Sequence, residues 1–385
     1  MQNNKLFNEL IAKLIQEYRI EDIDPIRVAL ASYIAHHFIS DPIWPLFIAP
    51  PSSFKTELLH LFSALPDTYP LSDLTEKTLL SGFEGGKHSL IYKLNGKILI
   101  LKDFTTVISM RRERRAEILA QLREIYDGSI KKAFGTGAVV DWKGKVGLMA
   151  GVTPVIDAHY AIFKALGERF IQVRLLRVDE LEMGKKAIKN IGQESELRKY
   201  LPALVKTICE EAVEWSTTQG MPTITEPFQW RLSALASITV KARSHIARNN
   251  YSKDIEYSPE PEAPARLAKQ LASLAQGLAS LRRSNEVSDC DFQIVKRVAF
   301  DCMPIIRAKA LQAIINGGQI GAAVLARQVG VSEATAKRAM EDMRSLSLLD
   351  DSIDPQGLKC WGLSANAKKL IEIAFPTCPP GGGCS

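Results

Sequence analysis

Residues Ala49–Leu59 read APPSSFKTELL. Lys55 and Thr56 end the pattern G-x-x-x-x-G-K-[ST], in which backbone N–H groups wrap phosphates and a lysine adds a point charge. Ala49 and Phe54 hold the two glycine positions. An apolar run, WPLFIA, precedes the stretch and an amphipathic segment follows it, which is the strand–loop–helix context the pattern requires. Pro51, Ser52, Ser53, Phe54, Lys55 and Thr56 are therefore the candidate phosphate cradle, with the Thr56 hydroxyl placed for Mg²⁺. Glycine is usual where such a loop takes positive φ, so a bulky residue at 54 predicts backbone strain. On these residues alone, a turn with a merely solvated lysine stays open.

Outward from that loop, short apolar runs alternate with helical periodicity between Trp44 and about Asp179. The runs are WPLFIA, KILILK, KVGLMAGV and RFIQVRLL. Their continuous hydrophobicity suits strands buried on both faces, hence an α/β fold with crossover helices. Residues 1–40 read as a helical lead-in, 41–179 as the α/β core and 180–290 as a helical region. In the last of these, NNYSKDIEYSPEPEAP reads as a proline-rich loop. The 385 residues are enough for two or three domains, and 46% hydrophobic with 24% charged residues is ordinary globular composition. The net charge of +6 allows a nucleic-acid partner without demanding one. Six cysteines without a C-x-x-C pair signal neither a zinc site nor a disulfide framework. No run reaches the ~20 apolar residues of a membrane span, and the first residues lack a signal-peptide layout, so the expectation is a soluble, cytoplasmic protein without membrane contact.

Downstream, GKILILKDFTT is a strand tipped by Asp103. It is followed by a helix, by SIKKAFGTGAVVDWKGK with turn glycines Gly135 and Gly137, and by a buried strand ending at Thr153. ALGERF then delivers Arg169 just before another strand. This order of loop, Asp-tipped strand, hairpin, polar-tipped strand and arginine resembles the AAA+ ATPases. It is most similar to their pre-sensor-1-hairpin branch, which includes the minichromosome-maintenance (MCM) helicases and helicase-like proteins of phages and mobile elements. The resemblance covers about Asp41 to Leu281. It implies ATP and Mg²⁺ as ligands, with Thr56 and Asp103 holding the metal, Thr153 at sensor 1 and Arg169 as an arginine finger reaching a neighbouring subunit. APARLAKQLASLAQGLASL is similar to the MCM lid helix and points to Arg266 as sensor 2, with Arg243 the competitor. It further implies a homo-oligomeric ring, a hexamer, with a pore hairpin. Phe104 departs from the pattern, because the usual Asp-Glu pair has lost its general base; Glu113, Glu117 and Glu124 on the next helix are the substitutes.

Lys131, Lys132, Lys143 and Lys145 on or beside the hairpin are candidates to grip single-stranded DNA electrostatically, against the alternative of a solvated surface hairpin. Within 295–375, AAVLARQVG, the turn VGVS and EATAKRAMEDMRSL read as a helix-turn-helix with Ser332 as N-cap. The following LKCWGLSANAKKLI completes a winged helix that presents Thr335, Lys337, Arg338 and Arg344 to duplex DNA. Residues 376–385 read as a disordered tail. Two functions remain: an ATP-dependent DNA helicase or translocase acting in replication of a phage or mobile element, and a nucleotide-responsive DNA-binding initiator or regulator with little or no hydrolysis.

Overall fold

The computed structural model describes residues 5–51, 53–159, 169–176, 180–249, 251–257 and 260–376. Ser52 and most of the expected tail lie outside the described residues. The chain divides into two compact units, one of residues 1–224 with 273–295 and one of 225–272 with 296–385. Residues 225–272 thus group with the C-terminal residues rather than with the rest of the 180–290 region. No described helix is long and apolar enough to cross a membrane.

In the first unit, α1 (Lys5–Tyr18) buries Leu10 and Leu14, whereas α2 (Asp24–His36) is buried over nearly its whole length, as its apolar run requires. β1 (Trp44–Ile48) follows, then α3 (Lys55–His60), β2 (Thr68–Leu71), α4 (Ile91–Leu94), β3 (Ile98–Leu101), α5 (Thr105–Ile108) and α6 (Arg112–Tyr126). β4 (Ser129–Ala133) and β5 (Val139–Lys143) form the expected hairpin, closed through Gly137 at φ +82°. β6 (Gly147–Val152) and β7 (Phe170–Arg174) complete the sheet. Its order is β2-β3-β6-β1-β7 and every pairing is parallel. The four strands read from apolar runs occupy its interior and one edge; the other edge is β2, whose TYPL carries Pro70, a residue that edge strands tolerate.

Parallel order places the ends of β1, β3 and β6 together at the carboxyl edge, where ligands of open α/β sheets sit. The start of β7 lies at the opposite edge. The helix Glu194–Gln219 and the segment 273–295 belong to this unit, and Gly277 closes directly on α2: a Cβ there would stand 2.3 Å from the Ala31 carbonyl oxygen.

In the second unit, the helix Glu226–Ala242 packs along the helix Ala365–Ala374, whose last carbonyl accepts from Arg231 Nε at 3.3 Å. Residues 305–363 run helix (Ile305–Gly317), β10 (Ile320–Gly321), helix (Ala322–Val329), helix (Glu333–Ser345), β11 (Leu349–Ile353) and β12 (Lys359–Leu363), the three strands forming one antiparallel sheet, β10-β12-β11. Ser332 caps the third helix by accepting from Thr335 N at 3.2 Å. Part of the stretch read as a proline-rich loop is instead a small hairpin, with β8 (Ala247–Arg248) paired to β9 (Ile255–Tyr257).

Candidate functional site

Lys55 follows β1 and is 6% exposed; its stem crosses Gly151 of β6. A Cβ at 151 would fall 2.9 Å from Lys55 Cδ and 2.7 Å from the Lys102 carbonyl oxygen, so only glycine leaves room for the lysine here. Burial lowers the Lys55 pKa and the Asp103 carboxylate partly restores it, which places the ammonium within electrostatic reach of the β3 tip. Asp103 Oδ1 accepts from Thr105 N at 2.9 Å. The Thr105 hydroxyl accepts from Thr153 N at 3.0 Å and donates to Thr153 Oγ1 at 3.3 Å. The Thr153 hydroxyl therefore keeps its own proton for an incoming oxygen. Lysine, carboxylate and hydroxyl thus converge from three strand ends, with the exposed Thr56 next along the loop. Lys55, Thr56 and Asp103 are the donor set suited to a phosphate with its magnesium: a buried point charge, a hydroxyl and a carboxylate.

Phe54 does not carry the expected strain. Its φ of −60° and ψ of −9° are right-handed helical, a region open to any residue, and it caps the start of α3. Its ring packs on Tyr18, centroids 5.3 Å apart. Phe104 is fully buried with its ring 5.5 Å from that of Phe170, so the residue after Asp103 faces the core and a glutamate there would be buried among aromatics. Among the substitutes named from sequence, Glu117 is bound to Lys132 at 2.8 Å, and Glu113 and Glu124 are exposed on α6. Sequence reading missed Asp73. It lies two residues past Leu71, the partner of Leu101, and Thr106 Oγ1 bridges it (3.4 Å) to the Asp103 carbonyl (3.0 Å). β2 carries no clean apolar run, so nothing in the sequence marked Asp73 as a strand tip.

Beside the loop opens a cavity of about 310 Å³ whose lining includes Tyr18, Phe54, Thr56, Glu57, Asn190 and Arg198. Arg198 forks onto Glu57, at 2.6 and 3.4 Å. Burial, with Glu57 next in weight, pushes the Tyr18 phenol up to about 12.

Arg169 immediately precedes β7 and so sits at the amino edge, away from the loop of its own chain. It is buried, grips Asp127 through Nε (3.2 Å) and Nη2 (2.5 Å), and lies 5.7 Å over the Tyr126 ring. Most of the segment leading to it, 160–168, is outside the described residues. On the hairpin, Lys131 is exposed and 3.5 Å from Asp141, and Lys132 holds Glu117. Lys143 is exposed at the end of β5. Lys145 departs from expectation: it lies past the hairpin, half-buried, with Nζ donating to the Phe38 carbonyl at 2.8 Å, and burial lowers its pKa to about 8.

In the second unit, Arg266 pairs with Glu262 at 2.9 Å, and Arg243 is buried and 3.5 Å from the same carboxylate. Thr335 is half-buried, and Lys337, Arg338 and Arg344 are exposed on the helix Glu333–Ser345. Arg344 is tied to Asp351 at 2.5 Å. Asp342 on that helix receives both Arg248 from the small hairpin (2.9 and 2.6 Å) and Arg307 (2.8 Å).

No protein-family model matches the chain, and no curated protein matches it. Among solved structures, it is similar to a full-length MCM homolog from Methanopyrus kandleri, at 13% identity and a TM-score of 0.45, over 79% of this chain. The chain spans 62% of the length of that protein.

Proposed function

We propose that the chain is an ATP-dependent DNA motor of the AAA+ type, helicase- or translocase-like, working as a ring of identical subunits. The observation that carries this reading is the convergence of Lys55, Asp103 and Thr153 at the carboxyl edge, with Lys55 seated over Gly151. Pro51, Ser52, Ser53 and Phe54 would wrap the triphosphate by their backbone, Lys55 would hold it, and Thr56 with Asp103 would hold Mg²⁺. The bound metal would neutralise phosphate charge. Thr153 would orient the attacking water through its free proton. Arg169, at the opposite edge, fits a role only in a neighbour's site, for which it must leave Asp127. Arg266 is proposed as sensor 2.

Lys131 and Lys132 would grip single-stranded DNA in the ring channel, and the 295–375 segment, read as a winged helix, would set Lys337, Arg338 and Arg344 against duplex DNA. Work in replication of a phage or mobile element extends the same reading.

Phe104 favours a second reading, a nucleotide-responsive initiator or regulator that binds ATP and turns it over slowly. ATP turnover with and without single-stranded DNA separates the two. The motor reading expects DNA-stimulated hydrolysis that rises with protein concentration and is lost in Arg169→Ala. ATP binding with no turnover under either condition would leave the regulator.

A further inference from the structure

Arg169 is held in a way that its proposed task does not allow. Its guanidinium closes on both carboxylate oxygens of Asp127, Nε on Oδ1 at 3.2 Å and Nη2 on Oδ2 at 2.5 Å. The Arg169 side chain is only 9% exposed, that of Asp127 48%. Such a two-pronged fork is the strong geometry between arginine and a carboxylate, and it is the same fork that arginine offers a phosphate. A finger that reaches a neighbouring subunit therefore has to be let go first.

The place of Asp127 in the chain points to what lets it go. Asp127 caps the C-terminus of α6, its N–H donating to the Arg123 carbonyl at 3.0 Å, and Ser129, the first residue of the β4–β5 hairpin, is two residues on. Gly128 between them takes φ +81°, and its carbonyl accepts from Gly144 N at 3.0 Å, at the far root of the hairpin. A Cβ at 128 would stand 3.1 Å from the Gly144 carbonyl oxygen, so glycine keeps that root narrow. Further along β4, Lys132 is bound to Glu117 at 2.8 Å, which ties the hairpin back onto the helix that ends in Asp127. A DNA phosphate competes with Glu117 for that lysine, because the pair is open to solvent and weak.

We propose that Asp127 is a latch on the arginine finger, and that single-stranded DNA opens it by drawing Lys132 off Glu117 and shifting the hairpin about Gly128. This rests on the motor reading above and goes beyond it by naming what holds turnover down without DNA. The latched subunit keeps Lys132 on Glu117 and Arg169 on Asp127. DNA gains its contact with Lys132 only in the released subunit, so it favours that state.

The test is ATP turnover by the full chain, with and without a single-stranded oligonucleotide, in wild type, Asp127→Asn, Glu117→Gln and Arg169→Ala. Asparagine keeps the size and one acceptor oxygen of Asp127 and removes the charge that grips the guanidinium. Asp127→Asn should raise DNA-free turnover at least about fivefold and bring the stimulation by DNA close to one. ATP affinity should be unchanged, since Asp127 lies with Arg169 away from the phosphate loop. Glu117→Gln should raise the DNA-free rate in the same direction. A merely structural ion pair predicts the reverse, lower turnover by Asp127→Asn with the DNA stimulation kept. DNA-free turnover that does not rise in Asp127→Asn, while Arg169→Ala abolishes turnover, overturns the latch and leaves the finger standing. If Asp127→Asn fails to fold, Glu117→Gln decides, and an unchanged DNA-free rate there overturns the proposal. Turnover indifferent to Arg169→Ala removes the finger reading and the latch with it, whereas no binding of ATP at all removes the nucleotide reading itself.

Discussion

Gly151 lies directly beneath the Lys55 stem, and the space between them is too small for a methyl group. The lysine is therefore positioned by β6, the strand paired directly with β1, and not by its own loop alone. Gly151→Ala should displace it against an immovable partner, the Lys102 carbonyl. Both Gly151→Ala and Lys55→Ala should weaken ATP and tripolyphosphate binding by at least about tenfold, since each removes the buried charge from the phosphates. Full-strength binding by Lys55→Ala would end the phosphate-loop assignment.

Phe54→Gly tests the loop from the other side. With φ already at −60°, glycine relieves nothing and removes the ring that packs on Tyr18. An aromatic pair contributes about 0.5–1.5 kcal/mol, so chemical denaturation should show about that much stability lost. Tripolyphosphate affinity should barely change. Tighter ATP binding by the variant would mean that the aromatic residue is an obstruction.

His36 gives the fold an acid sensitivity. Burial, with Lys145 next in weight, lowers its pKa from 6.5 to about 4, while its Nε2 contacts the Gly96 carbonyl oxygen at 3.1 Å. In the unfolded chain it titrates near its ordinary value, so as pH falls from 6.5 towards 4 the unfolded state gains a proton that the folded state refuses. Stability is thus complete above 6.5 and is lost across that window. Urea unfolding should show about 2 kcal/mol lost between pH 7 and pH 5 from this group. His36→Gln should flatten that loss; an unchanged pH slope would assign it to other groups, such as His37, whose pKa burial also lowers.

The hairpin lysines should reveal themselves by salt. Exposed pairs such as Lys131–Asp141 are weak and yield readily to a phosphate. Each single-strand phosphate contact contributes about 0.7 to the log–log salt slope, so Lys131→Ala with Lys132→Ala should flatten it by about 1.4. Duplex binding should be spared. An unmoved slope would make the hairpin a surface feature.

Asp342 holds two arginines, and its loss should be felt more than the loss of either. Arg248→Ala leaves Arg307 in place, whereas Asp342→Ala takes a carboxylate from both guanidinium groups, leaving Arg248 with Glu341 and two carbonyls and Arg307 with only the Ala242 and Ser244 carbonyls. The expected costs are about 1–3 kcal/mol and about 3–5 kcal/mol respectively. Chemical denaturation of the full chain measures both, and equal costs would mean that Arg248 is the only partner that matters.

The interior strands were legible because burial on both faces writes itself as an unbroken apolar run, as in ILIL and GLMAGV. β2 was not, since an edge strand half-exposed to water and carrying Pro70 leaves no such trace. Asp73 was lost with it. Lys55 and Thr56 could be nominated from the loop pattern, and Asp103 and Thr153 from strand tips read together with the resemblance to AAA+ ATPases. Asn190 and Arg198 could not, because they reach the loop from more than 130 residues downstream and only tertiary packing brings them there. The strain expected at Phe54 failed for a related reason: residue type suggests a backbone conformation but does not set it. Lys145 looked like one more hairpin lysine until its partner, a carbonyl at Phe38, came into view.

Gly277 set against Ala31 bears on how the protein is made. α2 is nearly all apolar and buried, and one of its covers, the stretch 273–295, is synthesised only after residues 225–272. At ~5–20 residues per second, the interval between residues 224 and 295 lasts roughly 4–14 s. Throughout it the nascent first unit holds an apolar helix covered only in part, by β1 and the helix Glu194–Gln219, a window in which chaperone capture or self-association competes with completion of the core.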